Sequence, residues 1–173
     1  MKAYILLALH FTMMTCSNEE KCIDNSVVAR VPGLLTLEPQ QDIYERGDTL
    51  TYKFTVPATN DFFRPGLNLY TETGDREASA LLRGADLFEN AGTELVIVTG
   101  RQGSEKNFFF MPYNAVTDSY ELELLFILNR VGPYRWISNE QASVQADDCS
   151  VRYFVDSQIL WDGMAIIEFE VVP

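Results

Sequence analysis

Residues 48–57 read Asp48-Thr49-Leu50-Thr51-Tyr52-Lys53-Phe54-Thr55-Val56-Pro57. Leu50, Tyr52, Phe54 and Val56 alternate with Thr49, Thr51, Lys53 and Thr55. A side-chain repeat of two is that of a strand with one buried and one wet face. Gly47-Asp48 ahead of it and Pro57 behind it are turn formers. The theme returns at Tyr120–Leu128, where Tyr120, Leu122, Leu124, Phe126 and Leu128 share a face opposite Glu121 and Glu123. Leu125 and Ile127 make its far end apolar on both sides, as in a central strand. Outward from these two, strands are predicted at Leu34–Glu38, Leu67–Thr71, Glu94–Thr99, Asn107–Met111, Tyr134–Ile137, Val151–Asp156 and Ile166–Val172. Pro32-Gly33, Pro65-Gly66, Gly100 to Gly103, Gly132-Pro133 and Asp162-Gly163 punctuate the gaps. Many short strands at this spacing predict an all-β fold, a single antiparallel sandwich. One stretch differs. Arg76 to Glu89 sets Ala78, Leu81, Leu82, Ala85 and Phe88 at helical spacing, so one short helix is expected there despite Gly84.

The chain has 173 residues, one domain's worth, with 13 Lys+Arg against 25 Asp+Glu for a net charge of -12. That charge argues against nucleic acid as a partner, since displacing counterions from phosphates needs cationic surface. It also argues against docking on anionic lipid through a basic patch. The single histidine, His10, lies in an N-terminal apolar stretch. A chain processed after that stretch has no imidazole for a Ser-His-Asp or Cys-His nucleophile system, and none for a histidine-ligated metal.

Lys2 precedes a mostly apolar run from Ala3 to Met14, too short to span a bilayer and of the length of a signal-peptide core. The run ends at Met13-Met14-Thr15-Cys16, followed by Ser17-Asn18-Glu19-Glu20-Lys21. Met13 stands where leucine is usual in a lipobox. The stretch resembles the start of bacterial surface lipoproteins of the Bacteroidota type, in which the cysteine is lipidated after cleavage and an acidic export tag follows. The resemblance implies a signal peptide over 1–15, an acidic flexible leader over 16–26, a domain over 27–173, and lipidation of Cys16. Stable anchoring takes more than one acyl chain, each buried methylene adding about 0.8 kcal/mol. With Cys16 lipidated, Cys22 and Cys149 remain, in a compartment that permits a disulfide. They are expected to pair, two independent thiols being the alternative.

Tyr44-Glu45-Arg46-Gly47-Asp48-Thr49-Leu50-Thr51-Tyr52 resembles the turn that opens a core strand in immunoglobulin-like modules of bacterial surface proteins. The resemblance implies an immunoglobulin-like sandwich, although the antibody pattern of a tryptophan between two core cysteines is not matched.

Glu121 with Glu123, and Glu168 with Glu170, share strand faces at a spacing open to two-carboxylate hydrolysis, but alternating acids also make any solvated sheet face. No catalytic residue is assigned. Asp24-Asn25, Asn60-Asp61, Asp75-Arg76-Glu77 and Asp147-Asp148 could offer oxygens to calcium, yet acids populate turns for backbone reasons. No metal or cofactor is assigned. Phe63, Tyr113, Trp136 and Trp161 lie in or beside predicted loops and are the candidate ligand platform, while Phe108-Phe109-Phe110 reads as strand core. The expected function is therefore a non-catalytic binding or scaffolding lipoprotein at the outer membrane, facing outward, with the periplasm as the alternative place. Its membrane contact is the lipid anchor. Its ligand is an envelope protein or a glycan. The alternatives are a carbohydrate-binding accessory of a surface glycan-uptake system and a carboxylate hydrolase.

Overall fold

The computed structural model describes residues 25–89 and 92–173. The signal peptide, Cys16 and Cys22 lie outside the described residues. The fold is all-β, in the order β1 (Ser26–Arg30), β2 (Leu35–Glu38), β3 (Ile43–Glu45), β4 (Thr49–Pro57), β5 (Thr59–Asn60), β6 (Leu67–Asn68), α1 (Leu69–Thr73), β7 (Glu77–Leu81), α2 (Ala85–Phe88), β8 (Thr93–Thr99), β9 (Arg101–Gln102), β10 (Phe108–Asn114), β11 (Ser119–Leu128), β12 (Gly132–Ile137), β13 (Glu140–Gln145), β14 (Arg152–Ser157) and β15 (Ile166–Val172).

One sheet runs β1-β14-β13-β7-β10-β11-β4-β2, with β8 also beside β11 and β9 beside β10. It curls at the junction of β10 with β11, where only the pairs Tyr113 with Tyr120 and Asn114 with Ser119 join its two halves. Inward side chains of both halves fill one core. Ala78, Ala80, Phe109, Met111, Ala142, Val144 and Val155 come from one half, and Leu50, Tyr52, Phe54, Val56, Leu122, Leu124 and Phe126 from the other. Phe88 of α2 plugs the space between them, with ring centroids 5.9 Å from Phe109 and 5.0 Å from Phe126. A third sheet, β12-β15-β3, adds Tyr44, Tyr134, Trp136, Ile167, Phe169 and Val171 to the same core. The alternation read at 49–56 and 120–128 is present residue for residue: each even-numbered apolar position is buried.

Four expectations need correction. The sandwich is not wholly antiparallel, because β1 pairs with β14 and β3 with β15 in parallel. Both pairs join an N-terminal strand to a C-terminal one across nearly the whole chain, and no local turn announces such a crossover. Second, Arg76 to Glu89 is not one helix. Glu77–Leu81 is strand, burying Ala78 and Ala80, and only Ala85–Phe88 is helical. Third, Leu67–Thr71 leaves the extended state at Leu69. The Asn68 side chain caps α1 by accepting the Thr71 N–H at 2.7 Å, and Gly74, at φ 70, ends it. The structure thus has two short helices. Fourth, β13 was absent from the predicted strands, and β1 begins at Ser26, inside the expected leader.

The turn at Tyr44–Asp48 does open the core strand β4. The Asp48 N–H bonds the Glu45 carbonyl at 3.0 Å, and the Asp48 carboxylate takes the Glu45 N–H at 2.8 Å. Tyr44 is buried and its hydroxyl donates to the Pro39 carbonyl.

Candidate functional site

The expected aromatic platform does not form. Trp136 and Trp161 are each 5 % exposed and pack on the same ring, Phe169, with centroids 6.0 Å away in both cases. The third sheet has to fill its inner face with large side chains, and these two serve that end. Phe63 lies half-buried on Tyr153 at 4.8 Å. Tyr113 stacks on Tyr70 at 4.1 Å and donates its hydroxyl to Asp118 at 2.8 Å. Asp118 also receives Thr59 and Asn68, and these hydrogen bonds, led by that from Thr59, hold its carboxyl below the usual range.

Three of the four paired carboxylates are likewise engaged, Glu121, Glu123 and Glu168. Glu121 accepts from Thr117, Ser119 and Asn114, which keeps it ionised and lowers its pKa. Glu123 faces Lys53 at 3.4 Å. Glu168 is bound by Arg135 at 2.6 Å. A general acid with raised affinity for its proton is what glycoside hydrolysis needs, and Glu121 is shifted the opposite way. The acidic turns spend their oxygens on backbone: Asp61 on Gly66, Asp75 on Gln145 and Glu77, Asp148 on Ser150. Among the described residues no three His, Cys, Asp or Glu side chains come together as metal ligands would.

A different surface is the candidate: the outer face of the half-sheet β9-β10-β7-β13-β14-β1. Its pairing register lines up Arg101, Phe110, Ser79, Ser143, Phe154 and Val28 in one row across six strands. The guanidinium of Arg101 lies 3.7 Å over the Phe110 ring, and that of Arg152 lies 4.8 Å over Phe154. Between the rings the small Ser79 and Ser143 join hydroxyls at 2.7 Å, and Arg152 donates to Ser143 at 3.2 Å. Three strand spacings separate Phe110 from Phe154, roughly 14 Å. The row is therefore a trough with two arginine-capped aromatic walls and a small polar floor, in which Ser79 is part-exposed and Ser143 lies buried under Arg152. Phe108, Leu81, Gln141, Asp156 and Arg30 form the next row by the same register. Phe108 meets Phe110 edge-on at 5.1 Å, and Gln141 donates to Asp156 at 2.7 Å. The charges are held: Arg101 forks onto Glu77 with its closest contact at 2.5 Å, which lowers the Glu77 pKa.

Phe108–Phe110 was read as core, and only Phe109 is. Phe108 and Phe110 stay half-exposed on the outer face. The period-two signal is present here, but the serine floor is not legible in the sequence, because β7 carries helical spacing and β13 lacks a clear alternation.

No family model matches the chain, and no curated protein matches its sequence. Two solved structures are similar in outline. One is the Reelin-N domain of F-spondin, at TM-score 0.40 and 11% identity over 90% of this chain and 98% of that one. The other is the human F-spondin reeler domain, at TM-score 0.42 and 12% identity over 91% of this chain and 100% of that one. At that distance neither says what this chain binds.

Proposed function

We propose that the chain is a non-catalytic envelope lipoprotein, a binding or scaffolding module held at the outer membrane by acyl chains on Cys16 and facing outward. The observation that carries the binding role is the trough between the Phe110–Arg101 and Phe154–Arg152 stacks. Aromatic and arginine side chains dominate binding energy at interfaces, and here both arginines are stacked on the rings and Arg101 is also paired with Glu77, so less entropy is lost on binding. The immunoglobulin-like reading belongs to the same proposal. The Tyr44 hydroxyl bonded back to the Pro39 carbonyl is in keeping with the tyrosine corner of such sandwiches, while the two parallel pairs depart from a purely antiparallel one.

The pairing of Cys22 with Cys149 is supported by where the chain enters the fold. The Asn25 side chain donates to the Ser150 carbonyl at 2.9 Å. Cys22 lies three residues before Asn25 and Cys149 one before Ser150, a gap that three residues span easily. Intact mass of the protein from its native membrane is expected to show a chain starting at Cys16 plus acyl groups. Alkylation without reduction is expected to add nothing. An unacylated chain with a different start removes the anchor, and two alkylated thiols remove the disulfide.

A carbohydrate ligand is the second reading, favoured by the apolar ring faces beside Ser79, Ser143, Gln141 and Asp156. Titration with soluble polysaccharides is expected to show binding that the double variant Phe108→Ala/Phe110→Ala weakens by at least about tenfold. Binding unchanged in that variant places the glycan elsewhere. No binding by the wild type leaves a protein ligand for the trough.

A further inference from the structure

A second surface lies on the third sheet, where the segment 161–164 closes a two-residue hairpin. The Trp161 N–H bonds the Met164 carbonyl at 2.8 Å and the Met164 N–H bonds the Trp161 carbonyl at 2.9 Å. Asp162 at φ 48 and Gly163 at φ 77 supply the two left-handed residues that such a turn demands. Trp161 anchors the hairpin by stacking on Phe169. What the hairpin holds out is different in kind: Met164 is 58 % exposed and Ile166 36 %. Ile166 stands in register with Ile137, itself 67 % exposed on the neighbouring strand. Together Met164, Ile166 and Ile137 form an exposed apolar strip of unbranched and β-branched side chains.

The strip borders a shallow pocket of about 290 Å³ whose wall carries three carboxylates, Asp42, Asp162 and Glu168, and no lysine or arginine. Arg135, the cation nearest in sequence register, is committed to Glu168. Asp42 and Asp162 are exposed. Apolar side chains in the open cost solubility and mark interaction sites when they cluster. The acidic rim determines the sign of what can cover them. A second copy of this chain would bring a net charge of -12 against another -12, and an anionic polymer would meet the same repulsion. A cationic segment is drawn in by the field of the whole molecule as well as by the rim.

We propose that this pocket docks a basic segment of a partner protein in which lysine or arginine alternates with apolar residues. Its apolar side chains would cover Met164, Ile166 and Ile137, and its cations would reach Asp42 and Asp162. The proposal is independent of the trough on the other sheet, and either could stand without the other.

The test uses the purified native chain and three short synthetic peptides with capped ends: alternating lysine and leucine, alternating lysine and serine, and alternating glutamate and leucine. Trp161, one of two tryptophans in the sequence, gives a fluorescence signal at the pocket. The lysine–leucine peptide is expected to bind, and more tightly at low ionic strength than at physiological salt. Asp42→Asn/Asp162→Asn removes both exposed rim charges, and asparagine tolerates the left-handed turn as well as aspartate does. It is expected to weaken binding about tenfold, as two exposed ion pairs would. Met164→Ser/Ile166→Ser is expected to weaken it at least as much. A lysine–serine peptide that binds equally well reduces the effect to bulk charge attraction and overturns the pocket. So does tight binding of the glutamate–leucine peptide, wild-type affinity in both variants with unchanged circular dichroism, or no binding of the lysine–leucine peptide at low salt.

Discussion

Glu140→Gln is expected to stabilise the protein at pH 8 by about 3 kcal/mol while changing its stability at pH 5 by less than about 1 kcal/mol. Glu140 opens β13 and is fully buried. One carboxylate oxygen accepts from the Ser138 hydroxyl, while the other makes no well-formed hydrogen bond among the described residues, although backbone N–H groups approach the carboxylate. Two further buried polar atoms nearby are also unmatched, the Tyr52 hydroxyl and the Trp136 indole nitrogen. These groups converge on one corner. Tyr52 feels the Glu140 charge, and a backbone N–H of Arg83 reaches the Glu140 carboxylate. Next along the chain, Gly84 faces the Trp136 nitrogen so closely that a Cβ there would lie 3.3 Å from it. Burial pushes the carboxyl up to about 7, against 4.5 for an ordinary glutamate, with hydrogen bonds from Ser138 and from the backbone of Arg83, Asn139 and Glu140 itself working the other way.

The sign of the pH dependence follows from that shift. The folded state holds the Glu140 proton more tightly than the unfolded state does. Its contribution to stability is therefore complete below about pH 4.5, falls as pH rises, and is gone once the folded-state value near 7 is passed. A shift of that size corresponds to about 3 kcal/mol. Glutamine keeps the shape and an acceptor for Ser138 but has no proton to lose. Urea midpoints taken from pH 5 to pH 8 are expected to fall for the wild type and to stay nearly level, from this site, for the variant. The residues from 25 onward contain no histidine to add a slope in that range. Parallel curves for the two proteins would show that Glu140 does not titrate there.

Glu140 also shows why parts of this fold could not be read from the chain. β4, β11 and β15 are legible because large β-branched, aromatic or aliphatic residues mark their buried faces, and β8 because its Val96-Ile97-Val98 run favours extended backbone although those side chains stay exposed. β13 presents Glu140, Ala142 and Val144 inward, a set in which a carboxylate and an alanine hide the alternation. β7 buries Ala78 and Ala80, and alanine, leucine and glutamate are better helix formers than strand formers, so local preference pointed to the wrong element. Tertiary pairing overrode it, since β7 is held between β10 and β13. The trough inherits this difficulty. Its walls, Phe110 and Phe154, lie on strands that were predicted. Its floor joins Ser79 to Ser143, 64 residues apart, on the two strands that were not. The pocket at the hairpin was half legible: Trp161-Asp162-Gly163 announced the turn, but Ile137 and Asp42 reach it only through the pairing of the third sheet.

Gly100→Ala is expected to cost about 4 kcal/mol, far more than the matched substitution Gly47→Ala. Gly100 sits where the chain leaves β8, on one half of the sandwich, and enters β9, on the other. Its φ of 98° is closed to most L-residues, which accounts for about 1–2 kcal/mol. An added Cβ would also lie 2.6 Å from the Phe110 carbonyl oxygen and 2.7 Å from the Leu122 side chain. The leucine side chain can rotate away, but the carbonyl belongs to the strand that bonds β9, so the crossing itself must shift, at an overpacking cost of about 1–3 kcal/mol. Gly47 has nearly the same φ, 99°, with no atom within 4 Å of its Cβ position. Alanine there pays only the backbone part. Urea unfolding of the two variants therefore separates strain from crowding, with a gap of about 2 kcal/mol expected between them. Because Phe110 is a wall of the trough, Gly100→Ala is also expected to disturb the Arg101–Phe110 stack, which Gly47→Ala leaves alone. Equal losses in the two proteins would mean that the chain crosses between the halves of the sandwich with room to spare, and that the placement of Phe110 does not depend on a glycine beneath it.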